Sequence, residues 1–444
     1  MKMPKTPPSM ERFLMAEPQK VAAIRQLALF LGKKGRESYF HWDELRHRPA
    51  PEGHTHEEWW FCLKLQRQAS FKRLTALLDT RGRSFVFNIP DAVQEALHLI
   101  DASAGSAGRV REEMPNAHLR DQYLIRSLME EAITSSQLEG AVTTREAAKE
   151  MIRAGRPPRD KHERMILNNY ITMRRIVEIC REPLTPEMVF SIHRQVTEGT
   201  LDKPDAAGRF RRADEDVTLS DLEGEVYHRP PPAAELPERL AAMCRFANGE
   251  EPGGFVHPVI RAIILHFWLA YEHPFVDGNG RTARALFYWS MLGANYRLFE
   301  FASISNVLAK APTRYAQAFL YTETDENDLT YFILAQTAVM RKALEELHRY
   351  IERKKEEGRQ AAERLAGLER FNDRQRALLI HALNHPYQLY TIESHRKSHD
   401  TVYQTARTDL LGLRDAGVLR QKKAGRKMVF TVPPDLAERL RERD

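Results

Sequence analysis

Cysteine is scarce in this sequence. Cys62, Cys180 and Cys244 are the three present among 444 residues. They lie too far apart for a disulfide framework or a paired metal-ligand spacing, which predicts a reducing compartment. Long apolar runs are missing as well, since none reaches the roughly 18 residues that read as a membrane-spanning helix. The opening "MKMPKTPPSMERF" has no apolar signal core. Together these absences predict a cytoplasmic protein with no membrane partner. A large excess of one charge is also lacking: 67 Lys+Arg stand against 61 Asp+Glu, a net +6. With 42% hydrophobic and 29% charged residues, the composition is that of an ordinary globular protein, and the length predicts two to four domains.

The small charge excess is concentrated. Between Phe371 and Val432 there are 11 Lys/Arg and 5 Asp/Glu, a difference of +6 that equals the excess of the whole chain. That segment reads as three helices, "DRQRALLIHALN", "TIESHRK" and "HDTVYQTARTDLLGLRDAG", then two strands around a Gly turn in "VLRQKKAGRKMVFTV". The order predicts a winged helix-turn-helix over 371–444. Its third helix would present Tyr403, Gln404 and Arg407 to duplex DNA, with Lys422, Lys423, Arg426 and Lys427 on the wing. Winged helices also dock proteins, and a basic face can simply be solvated.

The rest of the chain is mainly α. Residues 1–100 mix helix and strand signals with many aromatics and read as scaffold, or as a surface that holds the next region. Apolar positions three and four apart then recur almost without break to about residue 370. One exception is "AGRFRRADEDVTLSDLEGEVYHRPPP", which reads as a β-hairpin across a Glu-Gly turn. Another is 341–370, charged on most faces, with Leu344, Leu347 and Ile351 as a thin apolar stripe. It predicts a connecting helix, or the seam of a homodimer.

The chemistry concentrates in "EHPFVDGNGRTAR", Glu272–Arg284, between two apolar helical segments. Pro274 pushes the residue before it out of the α region, so one helix ends near His273 and the next begins at about Asn279. The "DGNG" turn then lies at a helix N-terminus, where free N–H groups favour an anion. Gly278 and Gly280 allow close backbone approach. Arg281 and Arg284, three apart, share a face and can both reach a polyphosphate. Asp277 beside phosphates calls for a Mg²⁺ between them. His273 stands where a general base would take a hydroxyl proton. The plain alternative is a capped helical hairpin whose polar groups satisfy one another. The joint pattern favours a phosphate site.

"HPFVDGNGRTAR" matches the motif H-x-F-x-(D/E)-G-N-G-R-x-x-R at every defined position, so the chain resembles the Fic family over roughly residues 100–340. The resemblance implies a Fic-type helical bundle at 101–340, with a hairpin flap at about 208–229 and the active-site motif at 273–284. It implies transfer of AMP from ATP, with Mg²⁺, to a Ser, Thr or Tyr hydroxyl of a target protein or of the chain itself. By the same resemblance His273 is the base, Phe275 anchors the loop and Asp277 binds the metal. Gly278, Asn279 and Gly280 form the anion hole, Arg281 contacts the β-phosphate and Arg284 holds the γ-phosphate. The flap would clamp the target by strand addition. Tyr315 and Asn327 follow where the family lines its adenine pocket.

"SSQLEG" supplies the family's inhibitory pattern, (S/T)-x-x-x-E-(G/N), through Ser135, Glu139 and Gly140 in a helix at about 118–140. The resemblance implies that Glu139 pairs with Arg284 and blocks productive ATP binding. Two other functions stay open: removal of AMP with Glu139 as a catalytic group, or a DNA-binding regulator whose Fic core senses nucleotide. UMP or phosphate could also be the transferred group. His257 and His266, near the motif, read as core, capping or supporting residues rather than metal ligands.

Overall fold

The computed structural model describes residues 2–9, 13, 15, 24, 27, 39–104, 117–215, 217–220, 224–250, 254–365, 371–385, 388–424 and 427–441. The chain divides into two compact units. One comprises Met1–Ala107 with Ile125–Leu344, the other Gly108–Leu124 with Glu345–Asp444.

The first unit opens with α1 (Trp42–Leu45) and α2 (His56–Gln68), followed by the antiparallel strands β1 (Lys72–Leu78) and β2 (Ser84–Phe87) and by α3 (Asp91–Ala104). The helical body follows as α4 (Ala117–Leu138), of which 117–124 belong to the second unit, α5 (Arg145–Ala154), α6 (Lys161–Ile179) and α7 (Pro186–Thr197). The hairpin comprises β3 (Leu219–Ser220) and β4 (Val226–His228), with Leu219 opposite His228. Residues 221–223 of its expected turn lie outside the described residues. Then come α8 (Leu236–Asn248), α9 (Pro258–Glu272), α10 (Asn279–Gly293), α11 (Ile304–Leu308), α12 (Pro312–Thr324) and α13 (Thr330–Leu365), of which 345–365 belong to the second unit.

Helices α9 and α10 occupy the middle of this unit, and their sequences explain why. Ile260, Ile263, Ile264 and Phe267 on α9, and Leu286 and Phe287 on α10, are fully buried. A helix apolar on nearly all faces is stable only when surrounded. His257 caps α9 by accepting the Val259 N–H at 3.3 Å, and Pro258 stands at its first position, where a missing N–H costs nothing. Gly293 lets the end of α10 close on the Cys180 carbonyl, which a Cβ would meet at 2.4 Å. Helix α4 is held by a cluster of Ile133, Ala141, Ala148, Met151, Met165 and Ile166, joining it to α5 and α6. Gly140, at φ 90°, stops its last turn.

The aromatic-rich scaffold is fastened to the helical body through buried polar pairs. Lys64 Nζ reaches Asp325 Oδ1 at 2.8 Å, Tyr39 donates to Asp328 at 2.6 Å, and Arg67 donates to the Tyr331 hydroxyl at 3.0 Å. The Val86 amide and carbonyl bond Asn327 and Leu329.

In the second unit α14 (Asp373–Asn384), α15 (Ile392–Ser398) and α16 (Tyr403–Asp415) precede β6 (Arg420–Ala424) and β7 (Lys427–Thr431), and α17 (Leu436–Arg441) closes it. A short strand β5 (Leu389–Tyr390), not anticipated from sequence, pairs with β7 and completes a three-stranded sheet in the order β5–β7–β6. Two residues carry too little periodicity to read. Leu378, Leu379, Leu410, Leu413 and Phe430 form its core. Buried Asp409 joins the helices, receiving Asn372 and Arg374 at 2.7 Å each. Arg426 lies outside the described residues, as do 366–370 of the expected connecting helix.

The three cysteines are free and buried. No helix among the described residues is long and apolar enough to cross a membrane.

Candidate active site

The loop between α9 and α10 is built from its own side chains. Asn279 turns back on the loop: its Oδ1 accepts the Phe275 N–H at 3.0 Å and its Nδ2 donates to the Phe275 carbonyl at 2.7 Å. Phe275 is fully buried and stacks on His193 at 3.7 Å between ring centroids. Gly278 has φ 83°, and a Cβ there would also strike Thr197 Cγ2 at 2.6 Å, so conformation and space both demand glycine. Helix α10 begins at Asn279 and leaves the first-turn N–H groups facing the loop.

His273 caps α9 in the left-handed region, with φ 45° and ψ 54°. Its Nδ1 lies 3.3 Å from the Ala270 carbonyl. A carbonyl only accepts, so Nδ1 carries the proton and Nε2 keeps its lone pair. Burial pushes the ring's pKa down to about 4, with help from the nearby cations of His228 and Arg211. At neutral pH His273 is therefore an uncharged base with a defined tautomer.

The two motif arginines are used differently. Arg281 is fully buried, and one terminal nitrogen donates to the Val196 carbonyl at 2.8 Å. Its Nε and the other terminal nitrogen have no hydrogen-bond partner, and Asp277 Oδ2 is 3.6 Å from the latter. Burial pulls its pKa down. A buried guanidinium with unused donors can receive an anion. Arg284 is engaged through two of its three nitrogens. Its Nε donates to Ser135 Oγ at 2.8 Å, and one terminal nitrogen donates to the Ser135 carbonyl at 2.9 Å and to Glu139 Oε1 at 2.8 Å. Burial pushes the Glu139 carboxyl pKa up, but Arg284 outweighs it and holds Glu139 below its usual range. Gly280 makes room, for a Cβ there would lie 2.1 Å from Glu139 Oε1.

Asp277 extends outward, its side chain 46% exposed, with an oxygen available to a cation. Among the described residues no three His, Cys, Asp or Glu cluster as a metal site. A lone carboxylate suits Mg²⁺, which binds few protein ligands and takes the remainder from phosphates and water.

Several site residues carried no sequence signal. His193 on α7 accepts the Gly208 N–H at Nδ1, 2.9 Å away, so its Nε2 carries the proton and donates to the Asp277 carbonyl at 2.9 Å. His228 on β4 lies 2.7 Å from the Tyr271 carbonyl and 2.8 Å from Glu323 Oε2. Both partners are acceptors, so both ring nitrogens must be protonated, and its pKa is raised against the opposing effect of burial. Glu131, one turn before Ser135, accepts from Tyr288, Ser303 and Ser305. Glu272 is buried against Arg239 at 3.2 Å, and burial raises its carboxyl pKa to about 7. His266 donates to or accepts from the Tyr315 hydroxyl at 2.8 Å. The amide nitrogen of Asn327 donates to Asp79 Oδ2 at 3.0 Å.

Residues 183–291 match the Fic/DOC family, a span that holds the whole loop and the hairpin. The chain carries a Fic domain. The chain is 29% identical over 211 residues to "Protein adenylyltransferase Fic" of Drosophila melanogaster, covering 46% of this chain and 38% of the relative. The protein of the same name from Nematostella vectensis is 36% identical over 105 residues, 24% of this chain and 22% of that one. The chain thus spans well under half the length of the curated relatives it matches. A crystal structure of a Fic family protein from Desulfovibrio desulfuricans G20 shares the fold of the Fic domain and its surroundings. The TM-score is 0.51 at 17% identity, over 78% of this chain and 97% of that one.

Proposed function

We propose that the protein is an autoinhibited protein adenylyltransferase that moves AMP from ATP to a hydroxyl of a protein target or of itself. One observation carries the reading: a neutral His273 with a free Nε2 stands in the loop ahead of an Arg281 with unused buried donors in the first turn of α10, while Arg284 is held by Ser135 and Glu139. A base and an anion seat are what phosphoryl transfer to a hydroxyl requires. The occupied second arginine is a brake.

In the reaction, Nε2 of His273 takes the hydroxyl proton as the oxygen bonds the α-phosphorus, and the bond to pyrophosphate breaks. Arg281 and the first amides of α10 receive the charge that develops on the phosphate oxygens. Asp277 would hold a Mg²⁺, which when bound neutralises phosphate charge. Arg284 would complete the site by taking the terminal phosphate once Glu139 leaves it.

The test is to incubate wild type, Glu139→Gly and His273→Ala with α-labelled ATP and Mg²⁺. Label on protein in the Glu139 variant, little in wild type and none in the His273 variant is expected. Equal labelling of wild type and Glu139→Gly would remove the brake. No labelling from any nucleotide would remove the enzyme.

The second unit supports a separate reading as a winged helix that contacts duplex DNA. Its three helices and three-stranded sheet suit that fold, and Tyr403 is 54% exposed at the start of α16, with Gln404 and Lys422 also exposed. DNA binding that weakens with salt and disappears on removal of residues 371–444 is expected. Salt-independent or unchanged binding would count against it.

A further inference from the structure

The turn that carries His273 is not held by the helix that precedes it. The His273 amide still bonds the Leu269 carbonyl at 3.0 Å, but the His273 and Pro274 carbonyls lie beyond the last turn, where no helix amide can reach them. A residue with a side chain remains in the left-handed region only when its surroundings fix it there. Arg211 supplies that fixing. Its Nε donates to the His273 carbonyl at 2.9 Å and its backbone N–H to the Pro274 carbonyl at 2.9 Å. A terminal nitrogen donates to the Pro231 carbonyl, on the far side of the hairpin. The side chain is buried. Its neighbours turn elsewhere: Arg209 pairs with Glu215 and Asp205, and Arg212 with Asp205.

We propose that Arg211 is a positioning residue for the catalytic base, fixing the turn of His273 to both ends of the hairpin. The proposal rests on the reading of His273 as the base. One guanidinium joins a carbonyl of the catalytic loop to one beyond β4, so the orientation of the imidazole and the seat of the hairpin are set together. Lysine cannot substitute fully, because an ammonium is a point charge without the planar fork that serves two carbonyls at once. The cation also acts on the imidazole. Burial is the main reason His273 stays neutral, and His228, Glu139 and Arg211 are the charged groups that modulate it.

The experiment compares Arg211→Lys and Arg211→Gln in the Glu139→Gly background, following label transfer against ATP concentration. A fall of about tenfold or more in the rate at saturating ATP is expected, since a misplaced base costs on that order or more. The ATP concentration for half-maximal rate should stay within about twofold, because the carbonyls that Arg211 holds belong to His273, Pro274 and Pro231 and not to the arginines of α10. Imidazole NMR should show His273 titrating at higher pH in Arg211→Gln than in Arg211→Lys, which retains the charge. A staple whose charge does not reach the imidazole would not move that titration. Unchanged rate at saturating ATP, or a loss carried by weaker ATP dependence alone, would overturn the proposal. If Glu139→Gly transfers no label at all, the functional reading has failed and the NMR arm decides alone. A His273 titration unaltered by Arg211→Gln would then sink the proposal. Should Arg211→Gln fail to fold, Arg211→Lys carries the kinetic comparison.

Discussion

Glu139 and Gly280 share one volume: the carboxylate oxygen lies where a Cβ on residue 280 would be, 2.1 Å from it. The carboxylate of Glu139, just past the end of α4, is thus incompatible with any side chain at 280 on α10, and its ion pair with Arg284 depends on that glycine. Gly280→Ala should therefore destabilise the wild type yet be nearly neutral in the Glu139→Gly background. A double-mutant cycle by thermal melting should give a coupling of about 1 kcal/mol or more. Additive effects would mean that the two residues do not compete.

Glu131 anchors the same helix two turns earlier. Its carboxylate accepts from the Tyr288, Ser303 and Ser305 hydroxyls and from the Ser305 amide at 3.1 Å. Glu131→Gln inserts a donor among donors and should cost about 2 kcal/mol or more of stability. It should also release label transfer without altering any residue that touches Arg284. Loss of stability with no gain in transfer would confine Glu131 to packing.

His193 links the hairpin base to the loop between α9 and α10 through Gly208 and Asp277, and it supports Phe275 by stacking. Burial lowers its pKa to about 4, in keeping with a neutral ring that donates at one nitrogen and accepts at the other. His193→Phe keeps the stack and loses both bonds. It should lower transfer in the Glu139→Gly background by about tenfold while costing only about 1–2 kcal/mol of stability, the scale of two neutral hydrogen bonds. Unimpaired transfer would show that the loop needs no such link.

Acid should destabilise this protein early. Burial lowers the pKa of His41, His193 and His273 to about 4 each and of His266 to about 3, from an ordinary 6.5. Between these values the unfolded chain binds protons at these rings that the native state refuses. Stability is therefore lost as pH falls from 6.5 toward 4, by up to about 1.4 kcal/mol per pH unit for each ring. Glu272, raised to about 7, works in the opposite sense: its neutral form is favoured natively, and its contribution is lost as pH rises from 4.5 toward 7. Four rings outweigh one carboxyl, so the melting temperature should fall steeply from pH 6.5 to 5. A flat profile there would contradict the burial of these histidines.

Much of the catalytic loop was legible in the sequence because its logic is local. Pro274 and Gly278 end one helix and start another within six residues, and Asn279 can reach Phe275 only because they are four apart. Arg281 and Arg284 fall on one side of α10 for the same reason of helical period. The helix boundary at Asn279 and the mainly helical core needed nothing more. The short strand β5 was not legible, for it is a strand only by pairing with β7.

What sequence spacing could not decide was which distant groups would meet. Arg284 meets Glu139 across 145 positions, a pairing implied by the family resemblance and not by spacing, and Arg211 rather than Arg209 or Arg212 turns inward to the His273 carbonyl. Nothing in "GRFRR" marks the middle arginine. The tautomer of His273 was equally beyond reach, since a carbonyl one turn earlier selects it only once the residue has entered the left-handed region. The sequence by itself determined the chemical groups and their order along two helices. Packing decided which of those groups are already satisfied, because a buried donor takes whichever acceptor the surrounding elements bring within about 3 Å.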